Sequence, residues 1–274
     1  MPGRRGFFLQ FWGAFGRVFP RCSTIAQAIA FNVFLAFFPT LLLAVAFASS
    51  WIGSRTALLD AIRDFTQFLP PGSQGIVIDF LSRESADIWK LAVLGWFGCL
   101  FGGTQVMKLL MDGIHLIYGE EQQLGFLHRQ FRGLLLLLIT IAPILLAGIL
   151  GVFGRPLRHW AMGFIGEHAL IRGLWLVFFP LAAMVLAMLA LTVIYWVARP
   201  KEESLRQVLP GATLATLLWW MTNALFGLYV RRVPYNVVYG GLAAVIGLLL
   251  WMQISAVIVF LGAAWNAEAD EVRG

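Results

Sequence analysis

Six stretches of the chain carry no charged residue: 22–54, 91–107, 133–154, 173–198, 207–230 and 233–267. Together they exceed half its length. An uncharged apolar run of roughly 18 residues is long enough to be a membrane-spanning helix. Five of the six pass that length and the sixth falls just short. The pattern predicts an all-α, polytopic membrane protein with six transmembrane helices, at about 24–51, 90–110, 133–153, 173–197, 208–230 and 237–264. Residues 1–274 are expected to form a single membrane domain.

Two further segments are amphipathic. In 7–19, Phe8, Phe11, Trp12, Phe15, Val18 and Phe19 recur at helical spacing, with Gln10 and Arg17 on the other side. This predicts a helix lying in the membrane interface, or else one packed on neighbouring protein. In 55–88, Leu58, Ile62, Phe65 and Leu69 form one helical face. Pro70-Pro71-Gly72 then breaks the chain, and Ile76, Val77, Phe80 and Leu81 begin a second face. An extracytoplasmic helical hairpin is expected there.

Within the spans, Pro39, Pro143 and Pro180 predict bends, because proline removes a helix donor. Pro210 falls in a first turn, where it is tolerated. Gly98 and Gly102 form a small-xxx-small pair that suits close helix contact. The second span is the shortest, so Lys90 or Lys108 is expected near a boundary, snorkelling to the surface. Phe37-Phe38-Pro39 recurs as Phe178-Phe179-Pro180, a hint of an inverted repeat between the first and second sets of three spans.

Composition strengthens this picture. Hydrophobic residues make up 60% of the chain and charged residues 12%, half the share in an average soluble domain. Disorder and a disulfide scaffold are excluded. The net charge of +6 arises mostly at the ends of apolar runs, where basic residues anchor helices, so no nucleic-acid partner is expected. Placing the N-terminus inside puts eleven Lys and Arg on the inner side and nine on the outer. Arg4, Arg5, Arg17 and Arg21 precede the first span, which favours cytoplasmic termini. Cys22 and Cys99 fall at different depths and predict no disulfide.

Enzyme chemistry finds few footholds. The four histidines lie in connections and form no compact ligand set with acidic or cysteine residues. No nucleophile elbow or phosphate-binding glycine loop is present. No catalytic residue, metal site or cofactor is expected. The polar residues that enter or edge the spans are the candidate chemistry. Asn32, Gln105, Lys108, Asn223 and Tyr239 form a candidate substrate-binding set. In hydrocarbon such groups must face other helices or a wet cavity. They therefore bind either a headgroup or solute, or one another across helices. Lys108, turned into the bundle, would suit a phosphate or carboxylate.

Several stretches resemble the YihY/BrkB family of bacterial inner-membrane proteins, once misassigned as a ribonuclease. AQAIAFNVFLAFFPTLLL at 26–43 is similar to that family's first span. IYGEEQQLGFLHRQFRGLLLLL at 117–138 is similar to its second loop and third span. LPGATLATLLWW at 209–220 and YNVVYGGLAAVIGLLLWMQISAVIVFLGAAWNAE at 235–268 resemble its last two helices. The resemblance implies work in envelope maintenance, with membrane lipids as partners. On it rests the expectation of a transporter or flippase-like protein for a lipid or amphipathic solute. The alternative is a non-transporting scaffold for envelope assembly.

Overall fold

The computed structural model describes residues 7–19, 21–51, 85–119, 125–165, 169–199, 204–232 and 241–271. Among these residues the chain is all helical. Seven helices follow in order: α1 (Phe7–Val18), α2 (Arg21–Trp51), α3 (Ser85–Tyr118), α4 (Phe126–Ile165), α5 (Ala169–Ala198), α6 (Leu205–Arg232) and α7 (Gly241–Glu271). By length and hydropathy, Ala92–Tyr118, Pro180–Ala198 and Val245–Glu271 are long and apolar enough to cross a membrane. The pair α1 and the first part of α2 qualifies as a fourth if its 67° bend is taken as one broken span. Most of the expected hairpin at 55–88 lies outside the described residues.

The helices outrun the uncharged stretches that announced them. The expected third span ended near 153, with a connection to follow. Instead α4 continues through Pro143 and Pro156 to Ile165, 40 residues in all. Likewise α3 runs on past Lys108 to Tyr118. Charge marks where an apolar stretch stops, whereas helix continues as long as backbone bonds and neighbours support it.

Large apolar side chains cover the outside. Phe97 is 68% exposed and Phe101 65%, and Phe31, Leu138, Phe178 and Leu225 are also exposed. A surface this oily is costly in water and suited to lipid. The core is built from smaller or linear residues such as Ala26, Met111, Ile114, Ala212, Ala256 and Ala264. Glycine also sets a close seam between α2 and α3. A Cβ on Gly98 would stand 2.7 Å from the Pro39 ring, and one on Gly102 would stand 2.8 Å from Ala36 Cβ. The Pro39 ring is thus seated on Gly98.

Helix ends meet at one pole of the bundle. Arg17 of α1 bonds Glu268 near the end of α7 and the Ile117 carbonyl near the end of α3. Arg199, just past α5, pairs with Asp270. Gly211, early in α6, bonds Asn266. Arg129, early in α4, pairs with Asp112, late in α3. The long helices from α2 to α7 therefore alternate in direction.

Candidate functional site

Small residues on α5 open a space in the bundle. Ala183, Ala187 and Ala190 repeat at i, i+4 and i+7, so they share one helical face. Opposite them stand Trp219 and Trp220 of α6 and Trp251 of α7. With Ile29 and Val33 of α2 and Leu110 of α3, they line a half-open cavity of about 720 Å³. That lies within the roughly 300–1,000 Å³ range of ligand pockets.

Four polar groups of the wall, on Thr216, Trp219, Trp251 and Ser255, are engaged within the protein. Trp219 Nε1 donates to Ser255 Oγ at 3.1 Å, and Ser255 Oγ donates to the Trp251 carbonyl at 2.8 Å. Trp251 Nε1 donates to Asn223 Oδ1 at 2.7 Å. Thr216 Oγ1 donates to the Ala212 carbonyl of its own helix. The Trp219 and Trp251 rings lie 6.3 Å apart, tilted by 50°. These bonds hold the Trp219 and Trp251 indoles in place and leave an apolar surface that a hydrocarbon guest can fill.

A second polar cluster lies between α3 and α4. Thr104, Lys108, Asp112 and His115 fall on one stripe of α3, at i, i+4, i+8 and i+11. Lys108 is 9% exposed, and its Nζ donates to Gln130 Oε1 of α4 at 2.7 Å. It is thus enclosed between two helices, where a boundary lysine was expected to snorkel. The glycine that makes this possible is Gly133, whose added Cβ would sit 2.8 Å from Lys108 Cγ. Leu110 is two residues on, about 200° around the helix at 100° per residue. The cluster and the cavity therefore occupy opposite faces of α3.

The polar pole forms a third arrangement. Arg17 Nε meets Glu268 Oε1 at 2.5 Å, and Arg17 also reaches Glu271. Burial opposes the Arg17 charge, but hydrogen bonds to Glu271 and Glu268 outweigh it and hold its pKa above the ordinary value. Arg199 pairs with Asp270 and lies 5.1 Å from the Tyr118 ring centroid. Asn266 accepts from the Gly211 N–H at 2.8 Å and donates to the Val208 carbonyl at 3.1 Å.

The residues nominated from sequence are distributed among these features. Asn32 donates to the Ala28 carbonyl of its own helix at 2.8 Å. Gln105 is half-buried on α3. Ala36 against Gly102 and Cys22 against Gly113 set an antiparallel register that brings Asn32 level with Gln105. Lys108 belongs to the α3–α4 cluster. Asn223 stands behind the cavity wall, holding Trp251. Tyr239 lies outside the described residues. None of the other four lines the cavity itself.

Sequence reasoning missed the cavity, although the Ala183, Ala187, Ala190 spacing and the Trp219-Trp220 pair were its visible signals. It placed Arg17 on the polar side of the amphipathic segment and gave Arg199, Glu268 and Asp270 no individual role. Among the described residues no group of three or more His, Cys, Asp or Glu side chains is placed to hold a metal ion.

Comparison with known proteins gives a consistent result. The chain is 24% identical to the ribonuclease-like protein YfkH of Bacillus subtilis strain 168, over 87% of this chain and 86% of that protein. It is 26% identical to a UPF0761 membrane protein of Alkalilimnicola ehrlichii, over 89% of this chain, and 25% identical to one of Aromatoleum aromaticum, over 90%. It spans only 54% and 60% of the lengths of those two relatives. No solved structure matches it. The family model described as virulence factor BrkB matches residues 19–274. An oily exterior, apolar helices and a family match over nearly the whole length agree, and the chain belongs to the BrkB family of membrane proteins.

Proposed function

We propose that this chain is a six-span protein of the bacterial inner membrane that binds the acyl portion of a lipid or amphipathic solute and moves it across the bilayer, in the manner of a transporter or flippase. The observation that carries this reading is the cavity of about 720 Å³ walled by three tryptophans and a row of alanines. Its lining is almost wholly apolar, so it suits hydrocarbon better than a sugar or an ion. Six crossings by α2 to α7 agree with their alternating directions. The polar pole then faces the cytoplasm, as the basic residues ahead of the first span favour. No nucleotide-binding motif occurs in the sequence, so transport would be facilitated, ion-coupled or driven by a partner.

A scaffold for envelope assembly is the second reading. One observation favours it: Asn32 and Asn223 are both already hydrogen-bonded within the protein. A protein that moves a polar headgroup through its centre needs polar groups to spare.

Ala187→Trp separates the two. An indole at that position fills part of the cavity. Transport predicts that the variant translocates fluorescent phospholipid in reconstituted vesicles more slowly, and that native mass spectrometry finds less co-purifying lipid. Wild-type translocation in the variant would refute the cavity as the route. Lipid retained by the wild type without any translocation would favour the scaffold.

A further inference from the structure

Among the described residues, the cluster between α3 and α4 holds two cations to one carboxylate. Two cations, Lys108 and Arg129, share one carboxylate, Asp112, and that carboxylate is paired with Arg129. Among the described residues Lys108 has no ion-pair partner, and its hydrogen bond goes to the neutral Gln130. A buried ammonium offers three donors and is costly to enclose without a counter-charge. Arg129 repeats the deficit, since its Nε is buried without a hydrogen-bond partner.

We infer that Lys108 and Arg129 form a binding site for a phosphate group, carried by an anionic phospholipid headgroup or by a free anion at the same face of the membrane. A phosphate would supply acceptors to the spare Lys108 donors and to Arg129 Nε, and would neutralise the net positive charge. The site is reachable, because the Arg129 side chain is 40% exposed and that of Asp112 26%. Its setting favours the lipid source. Phe126 and Leu127, at the start of α4, and Phe131 beyond them are strongly exposed beside the cations. Apolar side chains flanking a basic pocket between helices suit a molecule with a charged head and oily tails. The N-terminus of α4 adds its positive dipole end.

This site lies across α3 from the cavity and does not depend on it. Its test is thermal unfolding of the purified full chain in neutral detergent. Dioleoyl phosphatidylglycerol, dioleoyl phosphatidylcholine and inorganic phosphate are titrated separately. Phosphatidylglycerol is expected to raise the melting temperature where phosphatidylcholine does not. Lys108→Gln and Arg129→Gln should each weaken that response about tenfold, the scale of one lost charge-assisted hydrogen bond. Lys108→Arg should retain most of it. Gly133→Ala, which keeps every charge but crowds the Lys108 stem, should weaken it too and carries the test if Lys108→Gln fails to fold. A response to phosphatidylglycerol alone assigns the site to a lipid headgroup, and an equal response to inorganic phosphate assigns it to a soluble anion.

Equal responses to the two lipids would overturn the inference. So would a Gly133→Ala response identical to wild type. Ala187→Trp should leave the phosphatidylglycerol response intact, and its loss there would place the effect in the cavity instead.

Discussion

Replacing Asn266 by alanine should loosen α6 from α7. Asn266 is 1% exposed, and its amide makes two bonds to the opening turns of α6, from the Gly211 N–H and to the Val208 carbonyl. The bonds form because the helices nearly touch there. A Cβ on Gly262 would stand 2.5 Å from the Gly211 carbonyl oxygen and 2.8 Å from Ala215 Cβ. A neutral hydrogen bond contributes about 0.5–1.5 kcal/mol net, and a buried group left unsatisfied costs about 1–3 kcal/mol. Side-chain bonds between membrane helices average nearer 0.6 kcal/mol. Two bonds together give an expected loss of about 1–3 kcal/mol. At roughly 2–4 °C per kcal/mol for a chain near this size, the melting temperature in detergent should fall by about 3–10 °C. Ser255→Ala, which removes one half-buried acceptor from Trp219, should cost less. Asn266→Ala melting within about 1 °C of wild type would refute the claim that this amide ties the two helices.

Two other predictions use the same assay. Gly98→Leu should destabilise strongly, because even a Cβ there meets the Pro39 ring at 2.7 Å, whereas Gly16→Ala, with nothing within 4 Å, should be neutral or stabilising by about 0.5–1 kcal/mol; equal melting of the two variants would contradict the seam. Arg17→Met takes a charged hydrogen-bond donor from Glu268, whose side chain is 6% exposed, and should cost about 1–3 kcal/mol, the scale of a lost charge-assisted bond. It should also speed proteolytic clipping at α1, with most of the loss recovered in Arg17→Met/Glu268→Leu.

The helices were legible because each depends on a local pattern. Uncharged runs located all six long helices, and the aromatic stripe located α1. How α1 is used was harder to read. Its polar side, Gln10 and Arg17, packs inward on α7 through the Trp265 carbonyl and Glu268, while Phe8 and Trp12 remain exposed. Around lipid the usual order inverts: oily faces turn out, and polar groups that need partners turn in. The partners themselves were not legible. Arg17 and Glu268 are 251 residues apart, and Asn266 and Gly211 are 55 apart. No spacing rule connects such positions. Asn32 shows the opposite difficulty, since an isolated amide in an apolar run invites a ligand, yet its own preceding turn satisfies it.

The distribution of polarity constrains any mechanism. Ion pairs and buried amides join α1, α3, α5, α6 and α7 at one pole, where Arg17, Arg199 and Asn266 each cross between elements. Further along, α5 meets the cavity through alanine, leucine and isoleucine side chains, while α6 and α7 stay tied by the Trp219–Ser255 and Trp251–Asn223 bonds. Directional bonds hold one geometry, while apolar contacts tolerate sliding and repacking. A bundle stapled at one pole, with α5 meeting α6 mainly through apolar contacts around the cavity, would move by splaying that part about the pole. Such splaying would widen the cavity between α5 and α6 and leave the Arg17–Glu268 pair intact. A cross-link joining α1 to the end of α7 should therefore leave any lipid translocation unaffected, whereas one joining α5 to α6 across the cavity should stop it. The reverse pattern would mean that the polar pole is the moving part.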